Sequence, residues 1–228
     1  MTVTTTLLLI GCLTAWVLCL GCYERTGGES GSGRVLTVWA VAGALVGGVL
    51  ALLGALVLNG VLRVLASDAY STGTILASAF GEEAIKAAAV IGLLYWMHHS
   101  LSIRETVLYG ALVGLGFASA EAVLYILQFG SEVVWVRMLW TAPAHMSYTV
   151  ICVFGLLAWQ RGRPLMLLIA FGWGTMAHAG TNLLMLQDAL GPALGALALF
   201  FCSLVLAHHL LRRSIAGVRR PVPAVSRA

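Results

Sequence analysis

Apolar runs of about 20 residues or more follow one another along the chain with only short polar joints between them. A run of that length is what a membrane-spanning helix needs. We read seven spans, at about 3–22, 35–62, 73–98, 107–128, 138–159, 164–187 and 190–211. The reading predicts an all-α, polytopic membrane protein: one integral membrane domain over residues 1–228. The second run is long for one crossing, so its far end, Asn59 to Thr72 with Arg63 and Asp68, is expected along the interface. The longest clear loop is Tyr23–Arg34, which leaves no room for a soluble domain, and no internal repeat is visible. Met1 to Thr6 carries no positive side chain, so the first span reads as a helix rather than as a signal peptide.

Composition supports this class. Hydrophobic residues make up 60% of the chain and charged residues 10%, against about 25% charged in a soluble domain. These values exclude a soluble domain, a disordered chain and a nucleic-acid binder. The basic residues are nearly all Arg, scattered between apolar runs or collected at the C-terminus, which suits membrane orientation and contact with anionic lipid. With the C-terminus inside, the inner segments hold Arg25, Arg34, Arg104, Arg161, Arg163, Arg212, Arg213, Arg219, Arg220 and Arg227. The outer segments hold only Arg63 and Arg137. This bias predicts an N-out, C-in orientation. Arg137 at the outer edge is read as an interfacial anchor for the fifth span. The five cysteines lie in or beside apolar runs, and Cys19 and Cys22 read as buried thiols rather than as a metal pair.

Ionisable groups inside a bilayer are costly, so each needs a reason. The third span holds Glu82, Glu83 and Lys86; the fourth Glu121; the fifth His145; the sixth His178 and Asn182. Counted from the outer ends of their spans, Glu82, Glu121, His145 and His178 all fall roughly 10–14 Å deep. Helices running in alternating directions thus bring these groups to one layer. Pairs four apart, Glu82 with Lys86, Phe117 with Glu121 and His178 with Asn182, share a helix face.

Three carboxylates against one lysine leave two uncompensated negative charges if all are ionised. A divalent metal held by two His and a carboxylate would cancel them, with a spare Glu as general base. A metal-free site, with carboxyls sharing protons and a Glu–His pair activating water, fits the same residues. The sequence leaves both open. It also leaves open a non-catalytic scaffold binding transmembrane helices through this polar layer, and a proton- or ion-coupled transporter.

These motifs resemble the PrsW family of intramembrane proteases. Glu82-Glu83-Ala-Ile-Lys86 is similar to that family's Glu-Glu-x-x-Lys, and Phe117-Ala-Ser-Ala-Glu121 to its Phe-x-x-x-Glu. Arg137 followed by His145 looks like its Arg…His, and His178-Ala-Gly-Thr-Asn182 like its last motif. The resemblance covers about residues 73–187, the motif-bearing core. More distantly the pattern is similar to the type II CAAX prenyl proteases, which have a His where Glu121 stands, and to the Aph-type scaffold subunit of gamma-secretase. The resemblance implies an enzyme of the cell membrane, of metallo- or glutamate type, clipping a single-pass anti-sigma factor near its extracytoplasmic side. We expect Glu82 to be the base that activates water, because it shares a face with Lys86, with Glu83 supporting it and Lys86 holding the carboxylate charged. Glu121, His145 and His178 are then expected to bind the metal, with zinc the expected ion, or to polarise water and carbonyl without one. Asn182 is expected to donate to the oxyanion or to the peptide backbone. Gly114 and Gly116, just before Phe117, are expected to let another helix or a substrate approach.

Overall fold

The computed structural model describes residues 38–66, 68, 71–96, 103–186 and 190–216. The expected first span, Cys19 and Cys22, the loop Tyr23–Arg34 and the last Arg residues of the tail lie outside them. Among the described residues there is no strand. Helix α1 is Val38–Leu65, α2 Thr72–Trp96, α3 Ile103–Phe129, α4 Ala142–Gln160, α5 Pro164–Met185 and α6 Leu190–Ala216. Among the described residues, three stretches are long and apolar enough to cross a membrane: Trp39–Leu65, Glu105–Phe129 and Ser131–Gln160. The α1 helix does not stop at Asn59. It runs unbroken to Leu65, because the chain from Asn59 to Leu65 has no proline and its one glycine is tolerated in a helix.

Physical reasons for the helix limits are visible locally. Between α4 and α5, Gly162 takes φ 77°. Gly162 N–H donates to the Trp159 carbonyl and Arg163 N–H to the Ala158 carbonyl, the paired bonds of a glycine-terminated helix. Pro164 then opens α5, where its missing N–H costs nothing. Upstream of α4 the chain winds through a short 3₁₀ turn, one α turn and a π-helical turn, Arg137–Thr141. The wider π turn carries Arg137 into the protein interior.

The α3 and α4 helices form the centre. The first packs on α1 and α4, the second on α3, α5 and α6, and α2 lies against α1, α3, α4 and α5. Val107, Leu108, Leu112, Val113 and Leu115 of α3 pack in one buried cluster with Met138, Val150, Ile151 and Val153. Two glycines set the helix spacing. A Cβ on Gly116 would strike the Leu45 backbone of α1, and one on Gly114 would lie 2.7 Å from the His145 carbonyl oxygen of α4. Close approach of neighbouring helices is therefore the use of both, and the second brings His145 against α3. Large apolar side chains such as Leu50, Val57, Val64, Leu168 and Ile169 face outward, as expected of helices solvated by lipid rather than water.

Candidate active site

The α2 helix turns one buried stripe inward: Ala79, Glu82, Glu83, Lys86, Ala87 and Val90. Their spacing of three and four residues is the helical repeat. Glu83 and Lys86 are completely enclosed and form an ion pair, Nζ to Oε1 2.6 Å. Neither could stay charged there alone. Lys86 Nζ also lies 3.0 Å from His145 Nδ1 and 4.8 Å from the centre of the Phe117 ring. An ammonium only donates, so His145 Nδ1 accepts. That assigns the ring proton to Nε2, which donates to Glu121 Oε2 at 3.1 Å. The Phe-x-x-x-Glu spacing is explained by these contacts. Phe117 packs on Lys86 and on the His145 ring, 5.1 Å away, and Glu121, one turn further, meets the far side of the same imidazole.

His178 on α5 completes the cluster. Its Nδ1 donates to Glu83 Oε1 at 2.9 Å, and its Nε2 lies 3.7 Å from Glu82 Oε2. Tyr148 stacks on the His178 ring at 5.6 Å, and the Tyr148 hydroxyl bonds to Thr181. The two imidazoles meet edge to face at 5.0 Å. Six of the seven residues expected at the site, Glu82, Glu83, Lys86, Glu121, His145 and His178, are thus brought together. Asn182 is not: its side chain is exposed and, among the described residues, joins none of the cluster's hydrogen bonds.

Three contributors escaped the sequence reading, and a fourth, Arg137, was given another place. Arg137 is no interfacial anchor. It pairs with Glu121 and stacks on Tyr125, 3.8 Å from the ring centre. It supplies a second cation, so one of the three carboxylate charges rather than two stays uncompensated. Asn59 and Ser78 both reach Glu82. A polar amide in an apolar run was the available signal for Asn59. Tyr148 had none, since aromatics in apolar runs are ordinary core.

The described residues include one set able to hold a metal: Glu83, His145 and His178, whose donor atoms all lie within 4.8 Å of one another. Two His and a carboxylate are a catalytic zinc donor set. Glu83 Oε2 is moreover buried without a hydrogen-bond partner, which a cation would remedy. The residues therefore fit a divalent metal. The carboxylate grouped with the two His is Glu83, whereas Glu121, the ligand expected from the sequence, is engaged by Arg137 and by His145 Nε2.

An apolar helical bundle with buried carboxylates, imidazoles and an inward lysine carries the groups that an intramembrane hydrolase uses. The family model described as PrsW family intramembrane metalloprotease matches residues 32–208. The chain belongs to that family and is an intramembrane protease. The match reaches beyond the four motifs to include all of α1. Comparison with curated proteins and with solved structures gave no match.

Proposed function

We propose that this protease cleaves single-pass membrane proteins, of the anti-sigma-factor kind, near the extracytoplasmic side of a bacterial-type inner membrane, with the chain oriented N-out and C-in. The observation that carries the mechanism is the approach of the Glu82 carboxylate to the open nitrogen of His178 beside the Glu83–His145–His178 set. Glu83, His145 and His178 would hold a divalent metal such as zinc, which when bound would supply Lewis acidity to a water and to the scissile carbonyl. Glu82 takes the water proton at a carboxylate oxygen and returns it to the departing amine nitrogen. Glu83 Oε1 also fixes the His178 tautomer, and Lys86 holds Glu83 ionised. Glu121, gripped by Arg137, orients His145 from its far side. Asn182, exposed one turn beyond His178, is placed to donate to the substrate backbone rather than to an oxyanion inside the cluster.

One observation favours a second, glutamate-type reading. Lys86 already engages two of the three donor groups, Glu83 and His145, and with Arg137 on Glu121 only one carboxylate charge is left, which a single shared proton would neutralise. Purified protein in vesicles with tagged single-pass helices tests the main reading. Glu82→Gln is expected to lower cleavage about 10²–10⁴-fold, the usual worth of a general base. Chelation is expected to abolish it and zinc to restore it. Full activity of Glu82→Gln would remove the assignment; chelator-resistant cleavage would favour the second reading.

A further inference from the structure

Glu82 is held by two residues outside all four motifs, one of them from α1. Asn59 Nδ2 donates to Glu82 Oε1 at 3.1 Å. Ser78 Oγ donates to Asn59 Oδ1 at 2.8 Å and lies 3.2 Å from the same Glu82 oxygen. We propose that Asn59, locked by Ser78, is a positioning residue that fixes the catalytic carboxylate for proton transfer. The inference rests on the reading of Glu82 as the base.

The three groups determine one another's orientation. An ionised carboxylate only accepts, so the amide must present its nitrogen to Glu82. That leaves Oδ1 turned to Ser78, whose hydroxyl, one helical turn before Glu82, donates to that amide oxygen. Flipping the amide would set two oxygens against each other at Glu82 and leave Ser78 facing a donor. With Oε1 held from the α1 side, Oε2 is the oxygen directed at His178 Nε2, 3.7 Å away. A general base works only with its lone pair within reach of the proton it takes. An amide in an apolar helix is costly unless bonded, and Asn59 is the first amide, hydroxyl or charged side chain in an α1 run that begins at Val38.

The alternative is that Asn59 only sets the packing register of α1 on α2. Asn59→Asp separates the two, because it keeps the shape but loses the donor, while Asn59→Gln keeps the amide. Each is compared with Asn59→Leu, Ser78→Ala and Glu82→Gln on a tagged single-pass helix that the wild type cleaves in vesicles. Zinc content and thermal melting are measured alongside. Misplacing a reacting group costs up to about 10²-fold. Asn59→Asp and Asn59→Leu are therefore expected to lower kcat by about 10–100-fold, with KM and zinc content at wild-type values. Asn59→Gln is expected to recover part of the loss. Ser78→Ala added to Asn59→Leu is expected to lower kcat no further. Wild-type kcat in Asn59→Asp and Asn59→Leu with inactive Glu82→Gln overturns the inference and leaves Glu82 as base. A rise in KM alone overturns it too. Wild-type kcat in Glu82→Gln instead removes the reading on which the inference rests. If Asn59→Leu fails to fold, Asn59→Asp and Ser78→Ala still decide.

Discussion

His178 Nδ1 lies 2.9 Å from Glu83 Oε1, although 95 residues separate them. The bond ties α5 to α2 and makes Glu83 the hub of the site, because Lys86 meets the same oxygen from the other side. A carboxylate that serves two donors at once, fully enclosed, is held in one orientation. Glu82, its neighbour in sequence but about 100° around the helix, instead meets Asn59 and Ser78 and, on the proposed mechanism, faces the reacting water.

The Arg137–Glu121 pair is mostly buried, so removing one partner strands the other. Arg137→Met is expected to cost roughly 2–4 kcal/mol and to lower the melting temperature by about 5–15 °C. The double variant Arg137→Met/Glu121→Gln is expected to be less destabilised than the sum of the two single changes. Thermal melting of all four proteins measures this coupling; strict additivity would show that the pair contributes nothing.

Gly114 is where α3 touches the α4 backbone at His145. Gly114→Val is expected to cost about 1–3 kcal/mol through overpacking and to weaken zinc binding by displacing His145. Gly172 on α5, where a Cβ would meet nothing within 4 Å, is the control. Gly172→Ala is expected to stabilise by about 0.5–1 kcal/mol, since alanine loses less freedom in a helix. Melting curves and zinc titrations of the two variants check both statements.

Orientation is tested by impermeant thiol labelling of intact cells. Ser131→Cys is expected to react from outside and Arg161→Cys only after permeabilisation, each in a background where Cys202 is replaced. The reverse pattern would invert the arrangement and move the polar layer toward the inner face.

Much of the site was legible because buried charge is rare in apolar runs. Glu82, Glu83, Lys86, Glu121, His145 and His178 stood out for that reason, and counting residues from span ends placed them in one layer. Which carboxylate joins the two histidines was not legible. Helix periodicity gives a face but not which neighbouring helix that face meets, and Glu83 of α2, rather than Glu121 of α3, is the carboxylate grouped with both histidines. Arg137 was misjudged because a π turn, which leaves no mark in hydrophobic periodicity, rotates it inward. Asn182 stands apart from the cluster for the opposite reason. Its four-residue spacing from His178 placed both on one face, yet the inward part of that face is narrow enough to end at Thr181. Asn59 was hidden at the end of a long run whose last turns read as interface.

Metal analysis of the purified protein, after zinc loading and removal of excess ion, tests the central claim most directly. The Glu83–His145–His178 assignment predicts about one zinc per chain. It predicts loss of that zinc in Glu83→Gln, His145→Ala and His178→Ala, and its retention in Glu82→Gln and Glu121→Gln. A folded wild type that takes up no zinc, or zinc that survives Glu83→Gln and is lost in Glu121→Gln, would contradict it.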